Sequence, residues 1–597
     1  MQYQSRDQIP EKYRWDLSSM CADDKDFERQ LEDAKALPAK LAAYKGRVST
    51  SAADLLAYLQ LLDEANVTLN RLGNYADRQA DVDTRVARYQ VYSDQVMSLE
   101  VETQGACSWF SAELLGMADE KLAAFFAEEP GLEHYRHAID RELRMRPHRL
   151  SAAEEAILAR AGDAAAQPER VFSQLNNADL TFADATDSKG EKHPVSHGSF
   201  IGLERNHDRA LRKSAFDSVY ASYGAHRNTC AGLLSAQVKQ LKFFADSRRY
   251  KDALEYCLDA NEVPTSVYDN LVDAVHKNLG ALHNYASLRK DALGVDELHF
   301  WDMYVPLVGS VDLTFTYEEA WDLILKALEP LGEEYLAIVR KGLEQRWIDV
   351  YETPGKRSGA YSAGSYGTNP VILTSFDGSL DDVFTLAHEM GHSVHTYLSC
   401  HAQSPTYCDY PIFVAEVAST CNEALLMEHL LKQTNDKRRR AWLINHFLEQ
   451  FKGTLYRQTM FAEFELRMGK LAAQGETLTA DLLSREYRAL NEDYFGPDMV
   501  SDPQIALEWS RIPHFYYNYY VFQYATGYSA AIALANRILT GGPQAVQDYL
   551  TFLSGGCSQD PIDLLKGAGV DMASPQPIQD ALDQFGRLLD EMEELLA

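Results

Sequence analysis

Apolar residues recur at intervals of three and four along most of the chain, and this spacing constrains its fold more than any other feature. LPAKLAAYKG (37–46), SAADLLAYLQLLDEANVTLNRL (51–72) and DAVHKNLGALHNYASLRKDAL (273–293) each gather their apolar side chains on one face of a helix. A strand turns successive side chains to opposite faces, so this period cannot line a sheet. The expected fold class is therefore mainly α. Ser51 and Asp54 suit the start of the second of these helices, as cap and first-turn acid. At 597 residues the chain exceeds one compact core, so several subdomains, or one large helical domain around a cleft, are expected. It shows neither a fixed-period repeat nor a low-complexity tract.

Two stretches interrupt the pattern. Residues 181–200, TFADATDSKGEKHPVSHGSF, are polar and contain Gly190 and Pro194, which predicts short strands and turns closing an N-terminal subdomain. Residues 354–379, PGKRSGAYSAGSYGTNPVILTSFDGS, surround one apolar run, Val371 to Thr374, with Gly, Ser and Pro. They predict a small loop-and-strand element. An open edge on the Val371 strand could pair with an extended peptide, although a purely structural hairpin has the same pattern.

Directly after that element, SLDDVFTLAHEMGHSVHTYL contains His388-Glu389-Met390-Gly391-His392 on a helix whose apolar positions include Val383, Leu386, Met390 and Val394. Histidines four apart project from one face a turn apart and can share one zinc ion. Glu389 lies about 100° around the helix from His388, near the ion but turned from direct ligation, where a general base would stand. Gly391 costs about 1 kcal/mol in a helix interior relative to Ala, which is understandable if a neighbour needs the space. A second buried helix is expected after Pro411, in PIFVAEVASTCNEALLMEHLL, and carries Glu416 and Glu423 seven apart on one face. Either can complete a two-His, one-Glu set, with the other accepting a histidine N–H. His395 is a weaker ligand candidate, better read as a supporting or core residue.

The segment RIPHFYYNYYVFQYATGYSAAIALA holds a further group. If Pro513 starts a helix, then His514, Tyr517, Tyr520, Tyr524 and Tyr528 share a face and Tyr519 lies on another. Such O–H and N–H donors can stabilise the oxyanion formed in peptide hydrolysis. Tyrosine packing at an interface is the alternative.

The remaining composition mainly excludes. A formal net charge of -31 (57 Lys+Arg against 88 Asp+Glu) repels phosphate backbones and anionic lipid, so no nucleic-acid or membrane partner is expected. MQYQSRDQIPEKYRWDLSSM lacks a signal-peptide core, and a cytoplasmic location is expected. The eight cysteines show no C-x-x-C pair, so buried thiols are expected in preference to a zinc-thiolate site at Cys400, Cys408 and Cys421.

YGTNPVILTSFDGSLDDVFTLAHEMGHSVH, DYPIFVAEVASTCNEALL and RIPHFYYNYYVFQYATGYSAA resemble the oligopeptidase F group, bacterial relatives of thimet oligopeptidase and neurolysin. RDQIPEKYRWDLSSM and LHFWDMYVPL (298–307) extend the resemblance through the chain. It implies a multi-helix oligopeptidase fold with a deep substrate channel and a small strand element beside the zinc-binding helix. The regions implied are an N-terminal helical region (1–115), an oligopeptidase F-type N-terminal lobe (116–200) and a zinc peptidase catalytic domain (201–597). The implied ligands are His388, His392 and Glu416 on one Zn2+ per chain, with Glu423 behind them. His514, Tyr520 and Tyr524 would stabilise the intermediate, with Tyr517 close by. Gly359, Tyr361, Tyr366 and Val371 would hold substrate backbone. The expected activity is endopeptidase cleavage of short unstructured peptides by a monomer or homodimer. A zinc carboxypeptidase and a non-catalytic peptide-binding helical scaffold are the alternatives; Glu389 argues against the scaffold, since a structural zinc site has no use for it.

Overall fold

The structure, a computed structural model, describes residues 3–309, 311 and 313–597. It is mainly helical, as the apolar spacing requires. Its contacts gather into two compact units of interleaved segments. The described residues of Met1–Pro147, Leu313–His429 and Leu534–Val570 form the first; those of His148–Asp312, Leu430–Ala533 and Asp571–Ala597 form the second.

The helices that matter below are α1 (Ala52–Val82), α2 (Ala87–Cys107), α3 (Arg209–Ser247), α4 (Leu380–Ala402), α5 (Ile412–Gln433), α6 (Arg457–Ala473) and α7 (Phe522–Thr540). Ser51 caps α1 by accepting the Asp54 N–H at 3.2 Å, as the sequence suggests. The predicted helix over 273–293 is in fact two, Thr265–Lys277 and Leu279–Leu293, broken at Asn278. That side chain donates to the Ala274 carbonyl and to Gln579, competing with the helical ladder. The polar stretch at 181–200 forms an antiparallel pair, Ala185–Thr186 with Lys192–His193.

In the first unit, strands β1 (Ile348–Asp349), β2 (Tyr361–Ala363) and β3 (Val371–Leu373) form a sheet in the order β1-β3-β2. β3 is parallel to β1 and antiparallel to β2. The Val371 strand is thus the central one, which corrects the expectation of an open edge there. Both of its edges are paired, and Val371 and Leu373 are buried in the same core as Leu55, Tyr58 and Leu72 of α1 and Val96 of α2. The outer edge belongs to β2. Ile372 N–H donates toward β1, at Trp347, so by antiparallel alternation Ser362 turns its N–H and C=O away from the sheet. Among the described residues, no helix is long and apolar enough to cross a membrane.

Candidate metal centre

The site is built on α4, which starts immediately after the sheet. Ser379 caps it by accepting the Asp382 N–H, and the Asp382 carboxylate accepts the N–H groups of Asp377 and Gly378, fixing the chain's entry. Val383, Leu386, Ala387, Met390 and Val394 are fully buried, which turns His388 and His392 to one side with ring centroids 4.9 Å apart. Glu416 arrives from α5. Its Oε2 lies 3.4 Å from His388 Nε2 and 3.6 Å from His392 Nε2. One ligand atom from each of the three residues lies within 4.8 Å of the others.

Those distances fit a metal ion. Donors on a tetrahedral zinc with bonds of about 2.1 Å stand about 3.4 Å apart. Glu423, also on α5, accepts a hydrogen bond from His388 Nδ1, leaving Nε2 facing Glu416. Glu416 and Glu423 thus occupy different places: one faces both Nε2 atoms, the other the far side of a single ring. Burial opposes a charge on His388, but the carboxylates of Glu416 and Glu423 outweigh it and raise its pKa to about 10. Glu416 is driven the other way: the two histidines outweigh burial and hold its carboxyl well below the usual range. Glu389 is 7% exposed, and burial raises its pKa against the pull of His388 and His392. Its carboxylate has no hydrogen-bond partner among the described residues. All eight cysteines are free thiols, and none joins this cluster.

Packing holds the two helices at this spacing. A Cβ on Gly391 would stand 2.7 Å from both the Ala418 carbonyl oxygen and the Ser419 Cα, so backbone meets backbone there. Gly391→Ala would gain about 1 kcal/mol of helix propensity, yet neither contact is a flexible side chain that can yield. Overpacking costs about 1–3 kcal/mol and more where relief is blocked. The expected net result is a lower thermal unfolding midpoint and weaker zinc retention, read by calorimetry and metal analysis.

Three polar groups that the sequence did not single out complete the support. Asn422 of α5, fully buried, donates to the Ala387 carbonyl at 3.0 Å and accepts from Tyr335 at 2.9 Å. Ser419 donates to Glu416 Oε2 at 3.1 Å, and Ser393 bonds Ser362 of β2 at 2.7 Å. An Asn inside an apolar helical run was their one visible signal. His395, 1% exposed, stacks on Tyr410 at 3.6 Å and stands outside the ligand cluster; burial lowers its pKa to about 3. Tyr361 directs its hydroxyl to Asp81, Gly359 has φ +89°, and Tyr366 is half-buried.

The tyrosine segment belongs to the second unit and is not one helix. Pro513–Tyr516 form a 3-10 turn, and α7 begins only at Phe522. Between them Asn518 and Tyr519 have φ of 59° and 58°, which corrects the single-helix expectation, since no α-helix passes through left-handed residues. Four of the five rings nevertheless meet: His514 lies 5.4 Å from Tyr517 and 6.0 Å from Tyr524, and Tyr520 lies 5.3 Å from Tyr524. Tyr528 instead packs against Phe451 at 5.0 Å, outside this cluster. Burial lowers the His514 pKa, which favours the neutral ring.

Comparison with known proteins gives two family matches. The model of peptidase family M3 matches residues 203–584, and that described as oligopeptidase F matches residues 113–182. The chain is 47% identical over 595 residues to oligopeptidase PepF of Bacillus subtilis, covering 100% of this chain and 89% of that protein. It is 39% identical over 593 residues to group B oligopeptidase PepB of Streptococcus agalactiae, covering 99% and 98%. The crystal structure of oligoendopeptidase-F from Enterococcus faecium is similar with a TM-score of 0.75 and 39% identity, over 96% of this chain and 99% of that one.

Proposed function

The chain belongs to peptidase family M3, in its oligopeptidase F group, and is a metalloendopeptidase; on that premise we propose that His388, His392 and Glu416 hold one zinc ion per chain and that Glu389 is the general base. The observation that carries this is the donor spacing, 3.4 and 3.6 Å across the two Nε2 atoms and Glu416, beside an unpaired Glu389 carboxylate. A zinc ion bound there supplies Lewis acidity, lowering the pKa of a water and polarising the scissile carbonyl. Glu389 takes the water's proton on its carboxylate and delivers it to the leaving amine nitrogen. Glu423 accepts His388 Nδ1–H and so would leave the Nε2 lone pair, on the side of Glu416, available to a bound ion.

For substrate we propose short, unstructured oligopeptides held in extended form along β2, where Ser362 offers both backbone groups to the outer edge. The three-residue length of that strand limits pairing to a few residues. Gly359, Tyr361 and Tyr366 line this loop, and Val371 supports it from behind. His514, Tyr520 and Tyr524 are assigned as donors to the oxyanion, and Tyr517, 48% exposed, as a substrate contact; their support is the shared ring cluster. The division into 1–115, 116–200 and 201–597 is retained as a description of family segments, supported by matches at 113–182 and 203–584. We place the enzyme in the cytoplasm, in peptide catabolism.

An internally quenched peptide blocked at both ends tests the function. Cleavage within it, lost on chelation and restored by zinc, is expected; cleavage only of peptides with a free C-terminus would make the enzyme a carboxypeptidase. On the same substrate Tyr520→Phe and Tyr524→Phe should each lose about 10²–10³-fold in kcat with KM and zinc content little changed. A raised KM with kcat intact would make that tyrosine a binding contact.

A further inference from the structure

The turn presenting the tyrosine cluster is held in a shape its own residues do not favour. A left-handed φ is tolerable for Asn518 but costly for an aromatic residue such as Tyr519, and it persists only where the surroundings over-determine it. Helix α6 provides those surroundings. Glu465 accepts the Tyr519 N–H at 2.9 Å, and the Tyr519 hydroxyl lies 3.4 Å from the Glu465 carbonyl, to which it donates. One turn further along, Gly469 leaves a gap in the helix surface, and the Tyr519 hydroxyl occupies the position where a Cβ would stand. Tyr268 meets the same ring edge-on at 5.9 Å. From α3, buried Gln237 donates to the Tyr516 carbonyl at 3.0 Å and to Asn518 Oδ1 at 2.8 Å.

Glu465 is an unusual choice for this task. It is 5% exposed, and its Oε2 has no partner among the described residues. The titratable groups facing it are Cys257, Tyr268 and Tyr519, with no cation among them. Burial therefore pushes its carboxyl up to about 8, against the one N–H bond that favours ionisation. At neutral pH it is an uncharged acceptor.

We propose that Glu465 is a positioning residue, anchoring the Tyr519 N–H in the α6 slot and thereby setting the directions of Tyr517 and Tyr520 on either side of it. The inference rests on the reading of Tyr520 and Tyr524 as oxyanion donors. A carboxyl held in the slot keeps its proton to about pH 8, whereas one released to water ionises near the ordinary carboxylate value, so the anchor weakens as pH rises between those two values and no further above about 8. A glutamine keeps the acceptor and cannot ionise.

Steady-state kinetics on the blocked peptide, with zinc content and chymotryptic nicking between 516 and 524 measured for each variant, test this. Glu465→Gln should stay within about twofold of wild type in kcat at mildly acidic pH and lose less kcat than wild type as pH rises to about 8. Glu465→Leu should lose up to about 10²-fold in kcat, as misplaced catalytic groups do, keep its zinc, and be nicked faster. Gly469→Ala, which displaces the Tyr519 hydroxyl, should do the same, and it decides the matter if Glu465→Leu fails to fold. The anchor is overturned if the Leu or Ala variant keeps kcat and resists nicking, or if Glu465→Gln is as impaired as Glu465→Leu. If instead both variants are nicked faster while Tyr520→Phe leaves kcat untouched, the anchor stands and the oxyanion reading falls.

Discussion

Glu389→Gln is expected to purify with a full complement of zinc and yet lose kcat by a factor near the upper end of the 10²–10⁴ range for a general base. The substitution preserves volume and shape in a place that is 7% exposed, so packing should survive. It removes the site's one carboxylate that neither faces both Nε2 atoms nor bonds a histidine ring. An amide in that position can still orient a water but cannot accept its proton. KM should change little, because the lost interaction develops only as the water is deprotonated. Parallel metal analysis and kinetics decide the outcome. Loss of zinc would make Glu389 a ligand, and retention of kcat would place the base elsewhere.

The second large effect separates the two carboxylates of α5. Glu416→Gln should strip the protein of zinc and abolish activity, since it removes one of three protein donors and the only anionic one. Glu423→Gln should lower zinc affinity about 10–100-fold, as loss of a partner behind a ligand does, because the amide oxygen can still accept from His388 Nδ1. Competition with a fluorescent zinc chelator orders the two variants. The opposite order would exchange their roles.

Much of this was visible in the sequence, and its limits have physical causes. The histidine pair is local: four residues along a helix determine which face they share, and no tertiary knowledge is needed. The proposed third ligand is not local. Glu416 and Glu423 lie on the same face of α5, and only the crossing of α5 over α4, close at Gly391, brings one carboxylate to both Nε2 atoms and the other to Nδ1. Strand order failed for the same reason, since β1 pairs with β3 from 24 residues earlier (Ile348 with Ile372) and nothing in VILT announces it. The tyrosine segment misled through its periodicity. Helical spacing put four rings together correctly, but the turn that does so in the structure depends on Glu465 and Gln237, more than 50 and 270 residues away in sequence.

The interleaving of the two units bears on how the protein is made. A nascent chain emerges N-terminus first, and domains generally fold as units. Here neither unit is contiguous. His388, His392 and Glu416 leave the ribosome well before Leu534–Val570, the segment that completes their unit. That late segment brings Phe552 against His395 and the Cys557 N–H to the Tyr407 carbonyl, bracing the link between α4 and α5. The proposed ligands therefore stand on an unfinished scaffold for much of synthesis, and durable zinc capture is expected to be a late, post-translational event.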